Sequence, residues 1–296
     1  MTNCNVDRIK SLPLWSGPVE PQVLKGGLSN ESYTVRAEGR RYVVRFGHDF
    51  PVHHVFRDRE LMAARAAHAA GFAPEVVYAE PGLMVAAFIA GHTYGEADVR
   101  ANIARVASLA RGFHHDMPLY VSGPGAIFWP FHVVRDYALT LKAGASRMAP
   151  EIPAYLRLAT ALEAVQVPLP IVFAHNDLLP ANFIDDGSRL WLIDFEYAAF
   201  STPMFDLAGI ASNAQFSHDE DSELLAAYFG TPPGPGLIRS HAAMKCAALL
   251  REAMWSMVSE LHLDAPGADY VAYTAENLDR LQRAVDDYQS RFGKID

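Results

Sequence analysis

The sequence predicts an α+β chain in two unequal parts: a small β-rich N-terminal lobe over residues 1–90 and a larger, mainly helical C-terminal lobe over residues 91–296. Three observations predict it. Alternating and β-branched stretches fill residues 21–47 and 76–91, apolar residues recur at helical spacing from about residue 96, and one strand-like corner, 173–197, interrupts the helical part.

Within residues 21–47, SYTVRA alternates, an EG or GR turn follows, and RYVVRF is apolar and β-branched. Residues 56–70, FRDRELMAARAAHAA, change to helix-forming composition, and Gly71 is a natural stop. VVYAEPGLMVAAFIAG reads as two strands around Glu80-Pro81-Gly82-Leu83, with a hinge at Phe88–Gly91. From residue 96, Val99, Ile103, Val106, Leu109, Ala110 and Phe113 trace one helix face. A Gly/Pro-rich loop at 118–130 precedes helices at 132–147 and 152–165. Beyond Pro203, helices are expected in FDLAGIASNAQ, in SHDEDSELLAAYFG, over 237–262 and over 268–290. No repeat or low-complexity segment appears.

Composition narrows the function. Half of the 296 residues are hydrophobic and only 20% are charged, in short runs, so a folded chain with a large core is expected. A net charge of −9 and no basic patch argue against a nucleic-acid partner and lean weakly toward a small cationic one. Cys4 and Cys246 lie far apart, Cys4 in an N-terminus expected to fray, so no disulfide is expected. No C-x-x-C or H-E-x-x-H spacing supports zinc. MTNCNVDRIKSL lacks the apolar centre of a leader, and no apolar run approaches the roughly 18–20 residues of a membrane span, so a cytoplasmic protein is expected.

The chemistry concentrates in FAHNDLLPANFIDDGSRLWLIDFEY, residues 173–197. Asp177 and Asn182 stand at D-x-x-x-x-N spacing, and Asp194-Phe195 closes the apolar run Leu190–Ile193 twelve positions after Asn182. Phosphoryl-transfer centres use this arrangement. One carboxylate orients the acceptor hydroxyl and takes its proton, while an amide oxygen and a second carboxylate suit Mg²⁺, which keeps several ligands from water and phosphate. The competing reading makes Asp177 and Asn182 turn caps and Asp194 a helix cap.

H-N-D-L-x-x-x-N followed by L-I-D-F-E-Y resembles the choline/ethanolamine kinase branch of the aminoglycoside-phosphotransferase-like superfamily, over about residues 20–285. The resemblance implies a protein-kinase-like two-lobe fold, ATP and Mg²⁺ as cofactors, Asp177 as the catalytic base, and Asn182 and Asp194 as metal ligands. Lys25-Gly26-Gly27-Leu28-Ser29-Asn30 is similar to the family's G-G-x-[ST]-N phosphate loop, which assigns Gly27, Ser29 and Asn30 to the nucleotide. Arg45 in YVVRFG takes the phosphate-binding cation's place, with Glu60 as its helix partner, although Arg59 and Glu60 also read as solvated helix charges. Residues 85–91 fall at the adenine pocket and hinge by the same resemblance.

The acceptor side departs from the family pattern. Glu196-Tyr197 follows Asp194-Phe195 where protein kinases have Gly, and by resemblance this pair borders the acceptor pocket. Trp255 matches one of two family tryptophans three positions apart, and Glu252 stands at the other. A carboxylate suits an ammonium that donates hydrogen bonds better than a trimethylammonium, so ethanolamine or another small cationic alcohol is favoured over choline. Trp255 also reads as an ordinary core aromatic on the face of Met254, Met257 and Val258. Where the family carries a further acidic residue, this chain offers Asn213, and Asp206 is expected to brace the catalytic loop. Trp191 is expected in the core, His175 as a structural hydrogen-bonder, and His114-His115-Asp116 as a helix-end cap or bystander.

Other readings remain: another acceptor within the same fold (an aminoglycoside, thiamine, a sugar or homoserine), or a non-catalytic nucleotide-binding scaffold. A hydrolase lacks support, because no G-x-S-x-G element is present. Oligomeric state is not legible.

Overall fold

In the computed structural model, which describes residues 4–24, 31–263 and 268–295, the alternation of the N-terminal part becomes a five-stranded antiparallel sheet. After helix α1 (Cys4–Lys10) come strands β1 (Gln22–Leu24), β2 (Glu31–Ala37) and β3 (Arg40–Phe46), helix α2 (Arg57–Ala69), and strands β4 (Val76–Glu80) and β5 (Leu83–Ala87). The strand order is β1-β2-β3-β5-β4. Tyr33, Val44 and Val85 stand opposite one another across β2, β3 and β5, all buried, and with Ile9 and Leu12 they belong to one hydrophobic cluster. The period of two then turns Arg45, registered with Ser32 and Met84, to the opposite face. The N-terminus does not fray as expected. Residues 4–10 are helical, and Ile9 is fully buried, because an apolar sheet face needs a cover.

The larger cluster holds the helical part together. Strand β6 (His92–Thr93) leads into α3 (Glu96–Ala101) and α4 (Ile103–Asp116), followed by α5 (Pro130–Ala143) and α6 (Ile152–Ala164). The single helix expected from residue 96 is two, broken at Asn102, whose φ −130° and ψ 33° are not helical. Four short strands come next: β7 (Val172–Ala174), β8 (Phe183–Asp185), β9 (Leu190–Leu192) and β10 (Ala199–Ser201). Helices α7 (Pro203–Asn213), α8 (His218–Phe229), α9 (Pro235–His262) and α10 (Tyr270–Phe292) complete the chain. Ala63, Ala64, Ala66 and Ala67 of α2 pack into this cluster rather than into the sheet's own.

The corner read from the sequence is two small sheets, β6-β8-β9 and β7 with β10, both antiparallel. Gly91 is needed for it, since a Cβ there would lie 2.5 Å from the Asp185 carbonyl oxygen and 2.8 Å from Ile184. Trp191 is not core as expected. Leu190 and Leu192 point inward, so Trp191 faces outward, bonds Asp186 through Nε1 at 2.7 Å and lies under Arg189. Cys4 and Cys246 are free. No helix among the described residues is long and apolar enough to cross a membrane.

Candidate active site

The site is built on the β8–β9 hairpin and the loop before it. Phe183 pairs with Leu192, and the Ile193 N–H donates to the Asn182 carbonyl at 3.1 Å, so Asn182 and Asp194 flank the same end of the hairpin. Asn182 Nδ2 donates to the Asp177 carbonyl at 2.8 Å, and the Leu179 N–H reaches the same oxygen at 2.9 Å. These bonds tie Asp177 to the hairpin and leave Asn182 Oδ1 as the atom that can meet a cation.

Beneath this loop, Asp206 on α7 is almost fully buried. Its Oδ2 accepts from the His175 N–H (2.8 Å) and from His114 Nε2 (2.8 Å), and its Oδ1 accepts from the Asn176 N–H (2.7 Å). Burial would push the Asp206 carboxyl up, but the His114 bond and charge hold it below its ordinary range. Asp206 thus braces the loop as expected. His114 is no bystander: it is buried, lies between Asp206 and the Tyr228 hydroxyl (2.7 Å), and orients the brace. His115 and Asp116 pair with each other at the surface. His175 is structural, fully buried, with Nε2 on the Ile193 carbonyl at 2.9 Å and its ring against Phe195. Asn176 and Asp194 both take left-handed backbone (φ +63° and +68°), which sets the two acidic turns at the ends of their strands.

Arg45 crosses from the sheet to this centre. Its Nη1 lies 2.5 Å from Asp194 Oδ1, and its Nη2 pairs with Glu60 of α2. Burial alone would raise the Asp194 carboxyl, but Arg45 overrides it and holds Asp194 below its ordinary range. Arg57, not anticipated from the sequence, continues the chain of charges: its Nη1 donates to Glu60 Oε2 at 2.6 Å and to Glu196 Oε2 at 3.3 Å. Glu196 therefore sits in the Arg45–Glu60–Arg57 network, at the junction of α2 with the hairpin. Gly27, Ser29 and Asn30 lie outside the described residues.

The acceptor-side residues divide. Asp177 is half-buried at the wall of a cavity of about 30 Å³ that Glu252 and Asn213 also line. Burial raises the Asp177 carboxyl well above its ordinary range, opposed by Arg251 and reinforced by Glu252, Asp194 and Glu196. Trp255 is not brought to this cavity. It stacks on His53 with ring centroids 4.9 Å apart and donates from Nε1 to the Tyr197 hydroxyl at 3.0 Å, which is core packing. Tyr197 is buried too, with its carbonyl held by Asn176 Nδ2 at 3.0 Å. The residue that sequence reasoning missed is Arg251. It is only 4% exposed, its Nη1 donates to Glu252 Oε2 at 2.8 Å, and its guanidinium lies 5.3 Å from the Tyr197 ring centre. Helical spacing was the available signal, because Arg251 shares a face with the apolar Ala247, Met254 and Trp255.

Among the described residues no group of three or more His, Cys, Asp or Glu side chains forms a metal cage. The donors present, an amide oxygen and one carboxylate, are the hard and incomplete set that Mg²⁺ shares with phosphates and water, so the residues fit that ion.

A two-lobed scaffold with a braced acidic loop, a metal-suited hairpin end and a cation reaching in from the sheet defines a phosphotransferase of the protein-kinase-like kind. The profile of the phosphotransferase enzyme family matches residues 20–239, and the chain belongs to that family. A choline/ethanolamine kinase family protein from Mesorhizobium loti superposes with TM-score 0.75 at 27% identity, covering 95% of this chain and 94% of that one. Choline kinase LicA from Streptococcus pneumoniae shares the fold with TM-score 0.71 at 23% identity, over 91% and 94% of the two chains. A probable ethanolamine kinase from Arabidopsis thaliana is 28% identical over 180 residues, 57% of this chain, and the match spans about half (47%) of that protein.

Proposed function

We propose that this chain transfers the γ-phosphoryl group of ATP to the hydroxyl of a small amino alcohol with Mg²⁺ present, residues 1–90 holding the nucleotide and residues 91–296 the acceptor. One observation carries the reading: Asn182 and Asp194 flank the same hairpin end, with Asp177 tied to Asn182 and Arg45 touching Asp194. The amino-alcohol class follows the names of the related ethanolamine and choline kinases.

In this mechanism Asp177 orients the acceptor hydroxyl and receives its proton as the oxygen bonds to the γ-phosphorus and the bond to the β-phosphate oxygen breaks, releasing ADP. Mg²⁺, when bound, would neutralise developing charge on the phosphate oxygens. Asn182 and Asp194 would hold it, and Arg45, kept in place by Glu60, would face the phosphates. Gly27, Ser29 and Asn30 belong to the phosphate loop in this reading. Two free cysteines, one exposed and one buried, suit the reducing cytoplasm.

Asp177→Ala tests the assignment. ADP release with any acceptor should fall by about 100-fold to 10,000-fold, the usual contribution of a positioned base, while ATP binding is retained. Turnover at the wild-type rate in this variant would refute Asp177 as the base.

A further inference from the structure

Five charged side chains meet where α2 abuts the hairpin: Arg45 and Arg57 against Glu60, Asp194 and Glu196. The side chains of Glu60 and Glu196 are only 4% and 8% exposed, so each needs a cation within reach. Arg45 cannot serve all three carboxylates, because its Nη1 is taken by Asp194 and its Nη2 by Glu60. Arg57 brings the second guanidinium. Its Nη1 stands between Glu60 Oε2 at 2.6 Å and Glu196 Oε2 at 3.3 Å.

Arg57 is itself held from outside this group. It is the first residue of α2, its backbone N–H donates to Asp49 Oδ1 at 2.8 Å, and its Nε donates to the His48 carbonyl at 2.9 Å. His48 and Asp49 lie just after β3, the strand that carries Arg45. One residue thus fastens three things together: the β3–α2 connection, the helix glutamate, and the side chain two positions past Asp194. Its loss would leave two nearly buried carboxylates, Glu60 and Glu196, without the nitrogen between them. Like charges repel strongly where little water screens them. Turning either carboxylate toward Arg45 relieves the repulsion, but it draws the Arg45 guanidinium onto carboxylates and away from an incoming phosphate.

We propose that Arg57 is a positioning residue for the nucleotide: by holding Glu60 and Glu196 on one nitrogen, it keeps Arg45 aimed at Asp194 and the phosphates. This rests on the phosphotransfer reading and adds to it a residue outside the motifs that define the centre. Glu196 then serves the nucleotide side rather than the acceptor pocket it borders by resemblance.

Titration calorimetry with ATP and Mg²⁺, no acceptor present, tests this on the whole chain. Arg57→Gln should weaken ATP binding by about tenfold to 100-fold at unchanged stoichiometry, the usual effect of removing a group that orients a ligand-binding side chain. Arg57→Lys is the milder variant should Arg57→Gln fail to fold. It keeps the charge but loses the Nε bond to His48 and the reach that bridges both carboxylates, so ATP binding should weaken by about threefold to tenfold. Glu60→Gln should weaken binding too. In Arg57→Gln/Glu60→Gln the two effects should overlap, because both act through Arg45, and effects that multiply would overturn the route through Glu60. A merely structural role would lower the fraction of chains that bind and leave the affinity of the rest unchanged. That result, or wild-type affinity in Arg57→Lys and Arg57→Gln, overturns the proposal while the phosphotransfer reading stands. Weakened ATP binding in the variants, with no ADP release by the wild type from any acceptor, would instead sink the phosphotransfer reading and leave the role of Arg57 in place.

Discussion

Asp206 offers a measure of how strongly the catalytic loop depends on one buried carboxylate. Asp206→Ala removes the acceptor for two backbone N–H groups, of His175 and Asn176, and for His114 Nε2. Each buried donor left unmatched costs about 1–3 kcal/mol, and with three donors affected and some relaxation of the loop a loss of about 3–5 kcal/mol is expected. With an unfolding entropy of roughly 2.1 cal/mol/K per residue, that is a drop in Tm of about 5–8 °C for cooperative unfolding of a chain this size. Asp206→Asn is instructive because it has one oxygen and one NH₂. Oδ1 serves Asn176, and Oδ2 serves His175 and His114. An NH₂ in place of Oδ2 faces two donors, whereas an NH₂ in place of Oδ1 orphans only the Asn176 N–H, so the amide takes the second orientation at about 1–3 kcal/mol, or about 2–5 °C. Differential scanning calorimetry reads the Tm, and a coupled ADP assay should show activity falling in the same order, wild type, Asn, Ala. An Asp206→Ala protein within about 1 °C of the wild-type Tm and of unchanged activity would refute the brace.

Two further outcomes concern packing and pH. Gly91→Ala places a methyl 2.5 Å from the Asp185 carbonyl oxygen, so the β6–β8 pairing must shift at a cost of about 1–3 kcal/mol, and an unchanged melting curve would show that the close approach is not rigid. His53, buried and bonded to Ser259 and Tyr137, is held down to about 3 by burial first and then by Arg251. Its folded pKa is depressed, so its contribution is complete above about pH 6.5 and is lost as the pH falls toward 3, a change of roughly 3–5 kcal/mol at 1.36 kcal/mol per unit. Denaturant unfolding of His53→Asn should show a flatter pH dependence across that window, and parallel curves would refute the assignment.

Local pattern carried the sheet, the hairpin and most helices, because alternation and helical spacing are short-range properties. The meeting of Arg45 with Glu60 and the bracing role of Asp206 came from the family resemblance instead, because both join residues far apart in the chain. Trp191 was misjudged because a three-residue strand has too little alternation to fix which face is inward. His114 looked like a helix end, and only the fold brings it to α7, 92 residues away in sequence. Arg57 was invisible for the same reason, and Arg251 showed only in its place on an apolar helix face. A charged residue on a helix reads as solvated until the element that buries it is known, and in both cases that element is the hairpin with its approaches.

The seating of α2 has a consequence for control. In kinases whose helix carries the glutamate partner of the phosphate-binding cation, swinging that helix away is a common off switch. Here the swing would pull Ala63, Ala64, Ala66 and Ala67 out of the main cluster and separate Arg57 from Glu196. Those alanines have no long side chains to rearrange, so no intermediate position keeps the contact. Seating α2 on the larger cluster thus ties the sheet's Arg45–Glu60 pair to the packing of the helical part.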